Sequence, residues 1–176
     1  MTNPIRTPWD LDTIGAQPFA AGSGQGRCSA TNSANQALTD GVPNVVTGWT
    51  ADGNDGALNP ATGIYTVPAT NDYSVSAQCG FDPGVESVPR PTGCSVEVQR
   101  STDSGATWPA IAHGQFVYDG SGNAPCFPNV TRLAVPLNKG DLLRVVAVPD
   151  SGGVVTTWRL FPLGTVNLFS VALAGS

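Results

Sequence analysis

Apolar and polar side chains alternate with a period of two along most of the chain beyond residue 27. The pattern is clearest in GIYTVPATNDYSVSAQCGF, residues 63–81. There Tyr73, Val75, Ala77, Cys79 and Phe81 are apolar, and Asp72, Ser74, Ser76, Gln78 and Gly80 between them are polar or small. A strand sends successive side chains to opposite faces, so this segment has one core-facing side and one wetter side. Pro68 closes the preceding strand, 64–67, because proline donates no ladder hydrogen bond. Asn71 and Asp72 suit the turn between the two. Similar patterning predicts strands over 28–32, 45–50, 94–100, 108–118 (broken near Gly114), 133–137, 142–148, 154–161 and 166–174. Cys94, Val96 and Val98 are expected to point inward, as are Leu133, Val135 and Leu137. Residues 52–60, 83–93 and 120–129 read as loops. Short strands punctuated by turn signals every 8–12 residues or so, with no helical period among them, predict a sandwich or barrel.

Two strands break the simple alternation. In 142–148 and 166–174 both phases are largely apolar: Phe169, Val171 and Leu173 share one, and Val166, Leu168, Ala172 and Ala174 share the other. An antiparallel sandwich strand normally wets one face. The second apolar side is therefore read as a hint of an oligomer, against the competing reading of a strand central in a large monomeric core. Residues 1–25 have no strand or helix period, yet carry Ile5, Trp9, Leu11, Ile14 and Phe19. They read as an extended arm whose apolar residues dock on a neighbour or on the domain.

Composition narrows the class. The chain has 176 residues, enough for one domain with a tail. Charged residues are 12%, and 21 Gly and 15 Pro accompany a 40% apolar share, which favours an all-β domain over disorder. The net charge of −5 argues against a nucleic-acid partner, which would call for a basic stripe. No apolar run approaches the ~20 residues needed to span a bilayer, so no membrane partner is expected. The N-terminus, MTNPIRTPWDL, shows no signal-peptide apolar core, and synthesis and folding in a cytoplasm are expected. Cys28, Cys79, Cys94 and Cys126 form no CxxC pair, so buried free thiols are expected rather than zinc ligands. A disulfide requires the fold to bring two of them together.

Candidate chemistry is sparse. STDSGATW, 101–108, matches the Asp-box pattern in a single copy. It reads as a tight hairpin turn in which Asp103 accepts backbone N–H bonds, Gly105 supplies positive φ and Trp108 folds back. DSGG at 150–153 has the form of a serine-protease nucleophile motif, with His113, the only histidine, as its one available base and Asp119 or Asp141 to orient it. A turn is the preferred reading. Asp52, Asn54 and Asp55 offer calcium-type oxygens without EF-hand spacing. Asp82, Glu86 and Glu97 are weak candidates for a glycosidase pair. Trp49, Trp108, Trp158 and Tyr118 are candidates for a sugar-stacking face, with core packing preferred. No catalytic residue, cofactor or metal is expected.

The stretch 63–81 resembles the tGxYxVPxxGxYxVSAxxxF pattern of the C1q/TNF-like jelly roll. LNKGDLLRVVAV at 137–148 is similar to that family's L-xx-GD-x-V-x-V turn, and NLFSVALA at 167–174 to its closing aromatic strand. Asn71 and Asp72 stand where the family usually has Gly, a change the left-handed tolerance of Asn accommodates. The resemblance implies an all-β, two-sheet antiparallel jelly-roll sandwich over 26–176, behind an arm at 1–25, assembling as a homotrimer. The expected trimer interface comprises Tyr65, Tyr73, Val75, Leu143, Val145, Leu168, Phe169 and Val171. A compact jelly roll behind a short arm also resembles trimeric decoration proteins and fibre knobs of tailed bacteriophages. The expectation is a non-enzymatic protein on the virion surface, with the major capsid protein among its partners. The alternative is a fibre tip that binds a receptor or a host surface glycan.

Overall fold

The computed structural model describes residues 27–54, 57–83, 92–114, 117–119, 126–152 and 157–174. Among them no helix occurs. The strands are β1 (Cys28–Thr31), β2 (Asn44–Val45), β3 (Thr50–Asn54), β4 (Leu58–Asn59), β5 (Ile64–Thr66), β6 (Asn71–Gln78) and β7 (Phe81–Asp82). They continue with β8 (Thr92–Ser101), β9 (Ala110–His113), β10 (Val117–Asp119), β11 (Asn129–Leu137), β12 (Leu142–Asp150), β13 (Arg159–Leu160) and β14 (Leu168–Leu173). One sheet runs β11-β6-β14-β1-β3. The other runs β10-β8-β12-β5-β4, with β2 also paired to β12 and β9 to β8; β7 and β13 form a small ribbon. All pairings are antiparallel.

The two large sheets face each other across a shared apolar core. Tyr73, Val75 and Ala77 of β6 and Phe169 and Val171 of β14 meet Cys94, Val96 and Val98 of β8 and Leu143, Val145 and Ala147 of β12. Phe169 packs against Trp49 and edge-on against Tyr65, with centroids 5.9 and 6.4 Å apart. Phe81 meets Trp158 edge-on at 6.3 Å. The alternation read from 73–81 is therefore the core alternation, and the inward triplet Cys94, Val96 and Val98 is as expected.

Two buried amides tie the loops to this core. Asn167 Nδ2 donates to the carbonyls of Asn32 and Phe161, and its Oδ1 accepts from the Gly80 N–H at 2.8 Å. Asn32 Nδ2 donates to the Thr47 carbonyl, and its Oδ1 accepts from the Ala34 N–H. Both side chains are fully buried, so these bonds offset a desolvation cost that apolar packing alone would leave standing.

The structure departs from the sequence reading in three places. Residues 45–50 are two strand ends rather than one strand. Gly48 at φ +77 bends the chain, and Trp49 turns into the core with its indole N–H on the Val46 carbonyl. The expected loop 52–60 contains the end of β3 and all of β4. Leu133, expected inward, is 71% exposed. Val135 and Leu137 face the core as expected, but a bulge between Arg132 and Val135, with Ala134 at φ +52, shifts the phase of β11 so that Val130, not Leu133, joins them.

Candidate interaction surface

The outward face of the five-stranded sheet is a regular surface built from consecutive paired strands. On β6 it presents Ser74, Ser76 and Gln78; on β14, Leu168, Ser170 and Ala172; on β1, Ser29 and Thr31. The register places them side by side: Ser29 beside Ser170, Ser170 beside Ser76, Thr31 beside Leu168, and Leu168 beside Gln78. None of these eight side chains is charged and none is larger than Leu or Gln; Asp72, exposed on the same phase of β6, brings one carboxylate to the end of the face. Leu168 is 38% exposed. A flat face of small neutral side chains lets a second surface approach closely without stripping water from an ion.

The expected trimer-interface residues do not lie on that face. Tyr65, Tyr73, Val75, Leu143, Val145, Phe169 and Val171 are at most 1% exposed within the single chain. A side chain already out of water has no area left to bury against another copy, so these seven belong to the protomer core. Only Leu168 is available. The apolar phase marked which side of each strand faces the partner sheet, not which side faces a partner molecule. The hint from β12 has a similar outcome: Val146, on its outward phase, is fully buried in the single chain. The arm residues Ile5, Trp9, Leu11, Ile14 and Phe19 lie outside the described residues.

The other sheet carries a polar chain on its outer side. His113 Nε2 lies 3.2 Å from Glu97 Oε1, Gln99 Nε2 donates to Glu97 Oε2, and Arg144 Nε donates to Gln99 Oε1. The Arg144 guanidinium sits 4.1 Å above the Trp108 ring. Trp108 is held by the Asp-box turn, as the sequence predicts. Asp103 accepts from the Thr107 N–H and hydroxyl and from the Ser101 hydroxyl, and the indole N–H of Trp108 donates to the Gly105 carbonyl. Gly105 has φ +95. These bonds stabilise the charged carboxylate and hold Asp103 down at about 2.

This geometry does not assemble the catalytic sets weighed from sequence. His113 aligns with Glu97 on β8, whereas Asp150 aligns with Gly93. Four strand residues, roughly 13 Å, separate the two registers. The Ser151 N–H and the Trp158 indole both donate to Asp40 Oδ1, and the Gly152 N–H donates to Asp150, which makes DSGG a turn. Asp141 accepts from the Asn138 N–H and pairs with Arg100, fixing the turn of the GD motif. Asp82 pairs with Arg159; Glu86 and Asp55 lie outside the described residues. Trp49 and Trp158 are buried in the core, so the aromatic set does not converge on one sugar-stacking face. Among the described residues, no group of three His, Cys, Asp or Glu is placed to hold a metal ion.

No family model and no curated protein sequence matches the chain. Solved structures do. The TNF protein Eiger from S. frugiperda matches with a TM-score of 0.60 at 16% identity, over 86% of this chain and 94% of that one. Murine APRIL, at pH 5.0, matches with a TM-score of 0.58 at 13% identity, over 85% and 98%. The globular domain of zebrafish complement 1qA matches with a TM-score of 0.54 at 11% identity, over 85% and 97%. The chain thus has the C1q/TNF-like jelly-roll fold.

Proposed function

We propose that this chain is a non-enzymatic structural protein that works as a homotrimer on the surface of a tailed-bacteriophage particle, as a decoration or head-fibre protein. The observation that carries the assembly is the neutral face of the five-stranded sheet. Its Ser, Thr and Ala side chains and the exposed Leu168 suit close packing against a second copy of the same chain. The jelly-roll fold supports three copies around one axis. The sequence of residues 1–25, with five large apolar side chains, supports an anchor that meets the major capsid protein. The alternative, a glycan-binding tip, retains Trp108, whose ring is stacked by Arg144, and is the weaker reading.

Two measurements test this. Light scattering of the full chain should give the mass of three copies, and Ser170→Glu, at the centre of the face, should reduce it to one. A wild-type monomer, or a Ser170→Glu trimer, overturns the assembly. Deleting residues 1–25 should leave the trimer intact and abolish binding to particles; binding at full occupancy by the truncated chain overturns the anchor.

A further inference from the structure

Three of the four cysteines converge at one end of the sandwich, where sequence spacing gave no reason to join them. Phe81 and Cys126 exchange backbone hydrogen bonds in both directions, and the Cys79 N–H donates to the Pro128 carbonyl. Phe81 and Cys126 are thus directly opposite each other, and residues 79 and 128 form the next pair but one. Opposed side chains in an antiparallel pair share a face, so Cys126 points to the core as Phe81 does. Cys94 reaches the same space from the facing sheet, at the start of the inward series Cys94, Val96 and Val98. The Cys94 and Cys126 thiols are in hydrogen-bond contact, and Cys79 lies close enough to Cys94 to interact electrostatically. All three are at most 2% exposed.

We propose that Cys94 and Cys126 form a disulfide when the protein folds in an oxidising medium, stapling β8 of one sheet to the segment that borders the other. Cys94 faces Cys126 across the core as a direct side-chain partner, whereas Cys79 is only a diagonal neighbour of Cys126, about 7–8 Å away for such a pair and too far to bridge without backbone movement. The link joins residues 32 positions apart in sequence, closing a loop long enough to restrict the unfolded chain substantially. The chemistry balances as two exchanges with a small-molecule disulfide such as oxidised glutathione. One cysteine, as thiolate, attacks it, forming a mixed disulfide and releasing one glutathione thiol. The second cysteine then attacks the protein sulfur of that mixed disulfide, releasing the second glutathione. The two cysteine sulfurs are oxidised, glutathione disulfide is reduced, and the two cysteine protons end on the departing thiols.

Burial pushes the Cys79 thiol up to about 12, and the Cys126 contact, with burial added to it, raises Cys94 further. Few thiolates therefore exist in the folded protein, and the exchange proceeds while the chain folds or opens. A protein folded in a reducing medium keeps its thiols.

The test refolds the full chain in a glutathione redox buffer and, in parallel, in dithiothreitol. The oxidised sample is expected to be lighter by two hydrogens, to retain two free thiols and to yield a peptide linking Cys94 to Cys126. Its melting temperature is expected to be about 5–10 °C above that of the reduced sample. Cys79→Ser should keep both the linked peptide and the shift; Cys126→Ser should lose both. Four free thiols after oxidative refolding, or a link through Cys79, overturns the proposal without recourse to any variant.

Discussion

At the scale of single residues, a few positions are set by contacts that admit no substitute. Gly63 has φ +69, and a Cβ placed there would lie 2.0 Å from the Val46 carbonyl oxygen. Gly63→Ala therefore forces β5 away from the 46–48 bend, and a loss of about 3 kcal/mol or more is expected in denaturant unfolding. A change within 0.5 kcal/mol or so would show that the bend yields freely. Asn167 is a second such position. Asn167→Ala removes three hydrogen bonds and strands the Gly80 N–H in the interior, for an expected cost of about 2–4 kcal/mol. Asp103 gives a pH signature. Its folded value, about 2, lies below the ordinary 3.8. The stabilisation it gives the hairpin is thus fully present above the ordinary value and is lost as pH falls through about 2. Carboxyl NMR should place its midpoint near 2; an ordinary midpoint would mean that the turn's hydrogen bonds do not form in solution. The Asp-box turn was legible because Asp, Gly and Trp have fixed jobs at fixed offsets. Gly63 and Asn167 were not, because their importance comes from segments distant in sequence.

At the scale of elements, period-two alternation identified β6 and β8, and continuous apolar runs marked β12 and β14, each of which pairs on both sides. Alternation misread β11. Leu133, Val135 and Leu137 keep perfect alternation in sequence, yet Ala134 adopts φ +52 and the bulge turns Leu133 to solvent. A local register shift leaves no mark in residue types, so periodicity could not reveal it. The exposed Leu133 then contributes little to the protomer: Leu133→Ser should leave unfolding within about 0.5 kcal/mol of wild type. Val135→Ser, by contrast, should cost several kcal/mol, because it buries a hydroxyl in the core. Equal effects from the two would show that the bulge is misplaced. The candidate association face was missed for a related reason. Apolar residues draw attention to the core, whereas this face is made of serine, threonine and alanine, which any solvated strand carries. Only the register of β1, β14 and β6 shows that they form one surface, with its single carboxylate, Asp72, at the end of β6.

At the scale of the whole molecule, the neutral face has a measurable consequence for assembly. Contacts that bring no ions together are little affected by screening, so the mass of the proposed trimer should be the same at low salt and at 1 M, where the Debye length falls to about 3 Å. Dissociation at high salt would point instead to the charged outer side of the other sheet. The order of the five-stranded sheet has a different implication. β1 lies between β3 and β14, with Cys28 opposite Val171 and Thr31 opposite Leu168. β1 cannot gain its partner β14 until about 140 further residues have been synthesised. A nascent chain stopped before residue 168 leaves one long edge each of β1 and β6 without its hydrogen-bonding neighbour, together with the core pocket that Phe169 fills. Such chains should be digested by protease, and chains that extend far enough to free β14 should resist it, making the arrival of β14 the step that closes the fold.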